Sequence, residues 1–312
     1  MNTIKFAPYN DFVTEQHDVE NASAYEANVF GFSGKFYNPC NLNVFIQNKC
    51  QNDCEFCINK RNDRTDIDNE LYFKNLETIL EGMKSVHLEA TITGGEPTLN
   101  PARMVETIRM LRKFGVKERT VSTTGIGMMN LYENKPVLQH LIDNDYVHNI
   151  SISRMDITDT ENANVLKGKN ITNEELARIA FYAKVNGVQL RTSTNIIENH
   201  IDSLEKILNF VDFQYTNNID SCLFREVIAK DFISIAPFQE QIRNDKNFVF
   251  DKVIHGMFYD IIVYIYKSPV TNQEYIVKCY QTNVIDKTVI GTLSYNQGKL
   301  RTGFNGEVLY GN

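Results

Sequence analysis

Cys50-Gln51-Asn52-Asp53-Cys54-Glu55-Phe56-Cys57 is the stretch on which the fold of this chain turns. Three cysteines spaced CxxxCxxC can aim their side chains at one point from a short loop. Thiolates are soft ligands suited to iron–sulfur clusters, zinc and Cu(I). A structural zinc site wants four protein ligands, and the nearest further candidates, Cys40 and His87, lie outside the loop. A cubane cluster held by only three cysteines keeps one iron open to a small molecule. The bland competing reading is three buried thiols that bind nothing.

Outward from this loop, strands and helices alternate. Residues 42–46 form a short apolar strand that delivers the cysteines at its C-terminal end. Tyr72, Phe73, Leu76, Ile79, Leu80 and Met83 recur at helical spacing,. A strand over 87–93 follows, then a helix opened by Asn100 and Pro101 and closed by Gly115,. Strands at 120–124, 147–153, 188–194 and 219–225 alternate with helices at 137–142, from the capping box Thr172–Glu175 to Gly187, and at 204–211,. Six βα steps imply a parallel sheet.

Residues 1–39, with the apolar patch Val29-Phe30-Gly31-Phe32, read as an N-terminal extension. Residues 40–231 read as the main body and 232–312 as a C-terminal β section. In that last section, runs at 258–266, 274–280, 288–294 and 306–310 read as strands with turns at 296–298 and 304–306,.

A net charge of −7 over 312 residues, with no long Lys/Arg cluster, argues against a nucleic-acid partner,. No apolar run reaches the ~18 residues of a membrane helix, and the N-terminus is polar rather than signal-like. The cytoplasm is the expected compartment. Six scattered cysteines in a chain this long do not make a small disulfide framework,.

The second motif is Thr93-Gly94-Gly95-Glu96-Pro97, at the end of the next strand and thus at the same end of the sheet as the cysteines. The glycines allow close backbone approach, and the carboxylate suits an ammonium group. Read alone, it is an ordinary loop. Together, CxxxCxxC with its Phe56 and the Gly-Gly-Glu-Pro turn resemble the radical S-adenosylmethionine (SAM) superfamily. In texture the chain is nearest the molybdenum-cofactor cyclase/SPASM-like branch, but it lacks the auxiliary-cluster cysteines.

The resemblance implies a partial (β/α)6 TIM-like barrel with an N-terminal extension and a C-terminal antiparallel β section. It implies one [4Fe–4S] cluster on Cys50, Cys54 and Cys57, and SAM bound near Phe56, Gly94, Gly95, Glu96 and Pro97, with Glu96 toward the SAM amine. It also directs attention to Thr124, Ser151, Ser153, Arg154 and Thr194 at later strand ends as SAM contacts. Thr124 has a competing reading as a capping residue. An arginine ending a buried strand is hard to explain by packing, because arginine is rarely buried unpaired.

The reaction so implied is cleavage of SAM to a 5′-deoxyadenosyl radical, which takes a hydrogen atom from a small polar molecule or a peptide. The electron would come from a donor such as flavodoxin or ferredoxin. Cys222, just before Arg225 and Glu226 on the sixth strand, is a candidate hydrogen donor for an epimerisation, against its reading as a core thiol. Radical rearrangement, crosslinking or other C–H functionalisation of a biosynthetic intermediate is the alternative. A non-enzymatic iron–sulfur sensor is the rival from another class.

Overall fold

A computed structural model describes residues 19–20, 23–61, 65–143, 146–227, 234–255, 259–269, 271–282, 288–304 and 306–311. Its strands are β1 (Val19–Glu20), β2 (Ser23–Val29), β3 (Phe32–Phe45), β4 (Leu88–Thr93), β5 (Arg119–Thr123), the hairpin β6 (Leu131–Tyr132) and β7 (Lys135–Pro136), β8 (Asn149–Ser153), β9 (Gln189–Asn195), β10 (Ser221–Arg225), β11 (Phe248–His255), β12 (Tyr259–Lys267), β13 (Glu274–Thr282), β14 (Val289–Asn296), β15 (Lys299–Thr302) and β16 (Val308–Tyr310). The helices are α1 (Asn69–Gly82), α2 (Pro101–Lys113), α3 (Val137–Ile142), α4 (Asp159–Leu166), α5 (Asn173–Val185), α6 (Leu204–Thr216) and α7 (Ala236–Asn244).

Local chemistry places the helix starts. Asp68, Asn100, Thr158, Thr172 and Ser203 each accept a backbone N–H from the first turn of the helix they cap,. Thr172 and Glu175 close the expected capping box,. The sequence reading missed α4, α7, β1, β2, the β6–β7 hairpin, β11 and β15. Its strand start at Phe258, the turn position Asn305 and residues 1–18 of the extension lie outside the described residues.

The six βα strands lie side by side in chain order, β3-β4-β5-β8-β9-β10, every pair parallel. They form a partial barrel. The C-terminal section contains the antiparallel runs β11-β12-β13 and β14-β15-β16. It also extends the main sheet at both edges, because β13 pairs in parallel with β10 and β14 in parallel with β3. Consecutive strands thus flank opposite ends of one row. Seven residue steps separate Thr282 from Val289, a reach of at most ~25 Å, so the sheet must curl to bring its edges together. At the front, β3 runs unbroken through residues 39 and 40, where the extension was read to end.

The two faces of the sheet differ in chemistry. Leu42, Val44, Ala90, Ile92, Val121, Ile150, Ile152 and Leu190 turn outward and form one core with α1, α2 and α5. Residues of the opposite parity turn inward, and apart from Phe45 they are mostly polar, among them Asn43, Thr91, Ser122, Ser151, Arg191 and Ser193. A parallel sheet covered on both faces reads as continuous apolar runs. This alternation instead gives the inner face a polar lining.

Candidate functional site

The cysteine loop leaves the C-terminal end of β3 and is held from two sides. On one side its entry limb, Gln47–Lys49, hydrogen-bonds the Gly-Gly-Glu-Pro turn. Gly95 N donates to Gln47 O at 2.7 Å, Glu96 N to Lys49 O at 2.8 Å, and Gln47 Nε2 to Glu96 O at 2.8 Å. A Cβ on Gly94 would stand 2.4 Å from Gln47 O, and one on Gly95 2.0 Å from Lys49 O. Gly94 also has φ +144°, which side chains rarely adopt,. The two glycines therefore admit the cysteine loop's own backbone; close approach to a ligand is not what their geometry requires.

On the other side, Asp53 N donates to Leu166 O and Lys167 O, both at 3.3 Å, and Lys167 Nζ pairs with Glu55. Cys54 Sγ donates to Leu166 O at 3.2 Å. Lys167 caps α4 in the left-handed conformation, and this end of α4 forms the second anchor. Arg103, buried on α2, completes the frame by donating to Ile46 O (2.9 Å), Ile67 O (2.7 Å) and Asn69 Oδ1 (2.7 Å). The β14–β15 turn joins in, with Gln297 accepting from Ile67 N and donating to Asp66. Neither the α4 anchor nor Arg103 was found from sequence. An arginine at a helix start carries no signal that separates this role from a solvated one.

Within the loop Cys50 is exposed, Cys54 and Cys57 are half-buried, and Phe56 is a half-buried turn residue between them. The three sulfurs are not gathered at ligating distance, and no metal-ligating group of three or more side chains forms among the described residues. The thiols nonetheless sense one another. Burial, then the neighbouring Cys57 and Cys50, pushes the Cys54 thiol up to about 12. Burial, followed by weaker effects that include the Glu96 and Cys57 charges, raises Cys50. Asn52 N–H points at Cys50 Sγ at 3.4 Å. Three soft donors on one anchored loop, one already facing a backbone N–H, fit a cluster ligated by three cysteines.

Glu96 is 0% exposed and turned inward. Its Oε1 accepts from Thr98 N (3.1 Å), Thr98 Oγ1 (2.7 Å) and Thr123 Oγ1, and its Oε2 from Thr124 N (2.8 Å) and Thr124 Oγ1 (2.7 Å). A carboxylate offers about four acceptor sites, so the expected direct contact with an ammonium group is not available in this conformation. Glu96 instead ties the turn before α2 to the end of β5. Thr124 also accepts from Gln51 Nε2 at 3.2 Å, which brings that strand end against the cysteine loop. Pro97 is buried and opens the short 3-10 turn that Glu96 caps.

Of the later strand ends, Ser151 and Ser153 lie on the inner face, Ser151 buried and Ser153 half-buried beside Ser193. Arg154 does not join them. It is 0% exposed, and its guanidinium donates to Asp156 O (2.9 Å), Ile171 O (3.0 Å), Ile157 O (3.0 Å), Asp159 Oδ1 (2.7 Å) and Asn173 Oδ1. Packing thus does explain this arginine: it clamps the start of α4 to the start of α5. Thr194 is buried on the outer face and donates to Arg154 O at 2.7 Å, so its hydroxyl is turned away from the inner face.

Cys222 is corrected in the same way. It is 3% exposed in a second apolar cluster with Phe210, Val211, Phe224 and Cys279, on the helix-covered face, and burial pushes its thiol up to about 12. A sulfur there cannot reach a radical inside the barrel. A separate cavity of ≈ 500 Å³, lined by residues that include Tyr25, Met83, His87 and Phe114, sits at the N-terminal ends of the strands. Parallel barrels carry their chemistry at the other end, where the cysteine loop is.

Comparison with known proteins agrees with this arrangement. The sequence profile of the Radical SAM superfamily matches residues 44–213. The chain belongs to that superfamily and is an enzyme of the radical SAM class, whose cofactors are a [4Fe–4S] cluster and SAM. Among solved structures it is similar to Streptococcus suis SuiB bound to the precursor peptide SuiA, with 20% identity, 66% of this chain and 45% of that chain covered, and a TM-score of 0.51. SuiB bound to S-adenosylmethionine matches at 19% identity, 66% and 43% coverage, and a TM-score of 0.50. TsrM, a radical S-adenosylmethionine methyltransferase from Kitasatospora setae, follows at 13% identity, 60% and 36% coverage, and 0.43. The chain therefore spans less than half the length of SuiB. No curated protein sequence matches it.

Proposed function

We propose that Cys50, Cys54 and Cys57 hold one [4Fe–4S] cluster with one iron open to SAM, and that the inner face of the barrel is the chamber in which a substrate meets it. The observation that carries this reading is the double anchoring of the cysteine loop, by Gly94–Glu96 on one side and Leu166–Lys167 on the other, at the C-terminal end of the parallel strands. When bound, the two cofactors supply one-electron cleavage of SAM to a 5′-deoxyadenosyl radical able to take a hydrogen atom from carbon.

The chain's own share is placement and exclusion. Gly94 and Gly95 let the loop sit flush on the sheet end, and Glu96 locks that turn to Thr123 and Thr124. Ser153 offers a hydroxyl to the cofactor side of the chamber, while the Thr124 hydroxyl is spent on Glu96 and Gln51. The antiparallel strands at both sheet edges restrict access of water and stray hydrogen donors. The substrate is a small polar molecule or a peptide, and the outcome is rearrangement, crosslinking or other C–H functionalisation. An electron donor such as flavodoxin or ferredoxin, in the cytoplasm, would serve the loop from its exposed side at Cys50 and Ile58.

The metal is tested by iron and sulfide analysis after anaerobic reconstitution. The expected content is ~4 iron atoms per chain, lost on Cys→Ala at any of positions 50, 54 and 57. A content of ~8 iron atoms, or zinc retained in place of iron, contradicts the single-cluster reading.

A further inference from the structure

Strands β9, β10 and β13 carry their charges on the inner face. On β13, Tyr275, Val277 and Cys279 enter the second apolar cluster behind the sheet, which leaves Ile276, Lys278 and Tyr280 facing inward. On β10, Cys222 and Phe224 do the same and leave Ser221, Leu223 and Arg225. On β9 the outward residues are Leu190, Thr192 and Thr194, and the inward ones Arg191, Ser193 and Asn195. The register then fixes the rows. Ser221 lies between Arg191 and Ile276, Leu223 between Ser193 and Lys278, and Arg225 between Asn195 and Tyr280.

Arg191, Arg225 and Lys278 thus share one patch floored by Leu223. The Arg225 guanidinium lies over the Tyr280 ring at 4.6 Å, a geometry that fixes its plane. Its Nε is buried and has no hydrogen-bond partner among the described residues. Lys278 is half-buried, and its pKa is lowered by burial first, then by the like charges of Arg191 and Lys252. Cations drawn together in a half-buried place repel one another. Such an arrangement, set in a chamber, marks a site that receives an anion.

We propose that this patch binds an anionic group of the substrate, a carboxylate or a phosphate, through Arg225 and Lys278. The proposal rests on the inner face being the substrate chamber and adds the substrate's charge. Arginine supplies a planar pair of donors and lysine a point charge, a combination that suits either anion.

The test is calorimetric titration of the reconstituted, SAM-saturated protein with inorganic phosphate and, separately, with citrate at low ionic strength. One saturable site per chain is expected, and the tighter of the two anions identifies the group. Arg225→Gln and Lys278→Met should each weaken that binding at least tenfold while leaving SAM affinity unchanged. Lys278→Met should also raise the thermal midpoint of the anion-free protein, which certifies that it folds. Absence of a saturable site, or equal binding by the variants, overturns the proposal. A loss that falls on SAM affinity instead overturns it too, because the cations would then serve SAM's own carboxylate. The heats are read without turnover, so a protein that binds anions yet forms no cluster contradicts the proposed function and leaves the anion site standing.

Discussion

The inner face of the barrel has two walls of different charge. From β3 to β8 it is lined by neutral groups such as Asn43, Thr91, Ser122 and Ser153, and the acid Glu89 on β4 accepts from Asn41 at the strand beginnings. From β9 to β13 it carries Arg191, Arg225 and Lys278. The cysteine loop leaves β3, on the neutral wall. A SAM sulfonium is itself a cation, and fixed positive charge beside it would oppose its binding. On the proposed function, the difference is a division of labour in which hydroxyls and amides line the cofactor side and cations the substrate side.

That comparison breaks most sharply at Arg154. If it belongs to the scaffold behind the neutral wall, Arg154→Leu removes five hydrogen bonds from a buried network and should cost ~3–5 kcal/mol, read from urea unfolding. A variant of unchanged stability that has lost SAM affinity would return Arg154 to the cofactor site. Next in size is Gly95→Ala. The added Cβ meets Lys49 O at 2.0 Å, and the strain, ~1–3 kcal/mol, falls on the cysteine loop. Iron content should drop several-fold while the far-ultraviolet spectrum stays unchanged. Normal iron loading would show that the loop does not need this seat.

Cys222→Ala should cost ~1 kcal/mol of stability and leave turnover and deuterium incorporation from heavy water as in the parent. Loss of product with SAM cleavage intact would place that thiol inside the barrel after all. The smallest effect concerns Lys278. Its folded pKa lies below the ordinary lysine value, so the unfolded chain holds the proton more tightly. The destabilisation from charging it is present at neutral pH and is relieved as pH rises through the lowered value toward the unfolded value of ~10.4. The stability advantage of Lys278→Met should accordingly shrink as pH is raised. An advantage that grows with pH would mean that the lysine is stabilised by a partner.

These contrasts also mark what could be read in advance. The six parallel strands and most of their helices were legible because apolar spacing and caps are local signals. The cysteine loop was legible because metal ligation constrains residue type and spacing together. Face was not legible at strand ends. Arg154, Thr194 and Cys222 follow or sit within strands whose inward parity depends on which neighbours cover them, and a single sequence leaves that open. Glu96 was assigned to the SAM amine because the Gly-Gly-Glu-Pro turn resembles the family's and a carboxylate suits an ammonium group; here Thr98, Thr123 and Thr124 satisfy it internally. The anchor at Leu166–Lys167 escaped notice because α4 buries only Asn162 and Leu166 and shows little amphipathic pattern. The parallel seats of β13 and β14 are long-range pairings that no local pattern encodes.

The central claim is that the anchored cysteine loop supports SAM chemistry, and it is tested most directly by assaying 5′-deoxyadenosine. Anaerobically reconstituted protein reduced with dithionite in the presence of SAM should release 5′-deoxyadenosine and methionine, and Cys→Ala at position 50, 54 or 57 should abolish both. A fully iron-loaded, reduced protein that yields no 5′-deoxyadenosine, or cysteine variants that yield as much as the parent, would contradict the account.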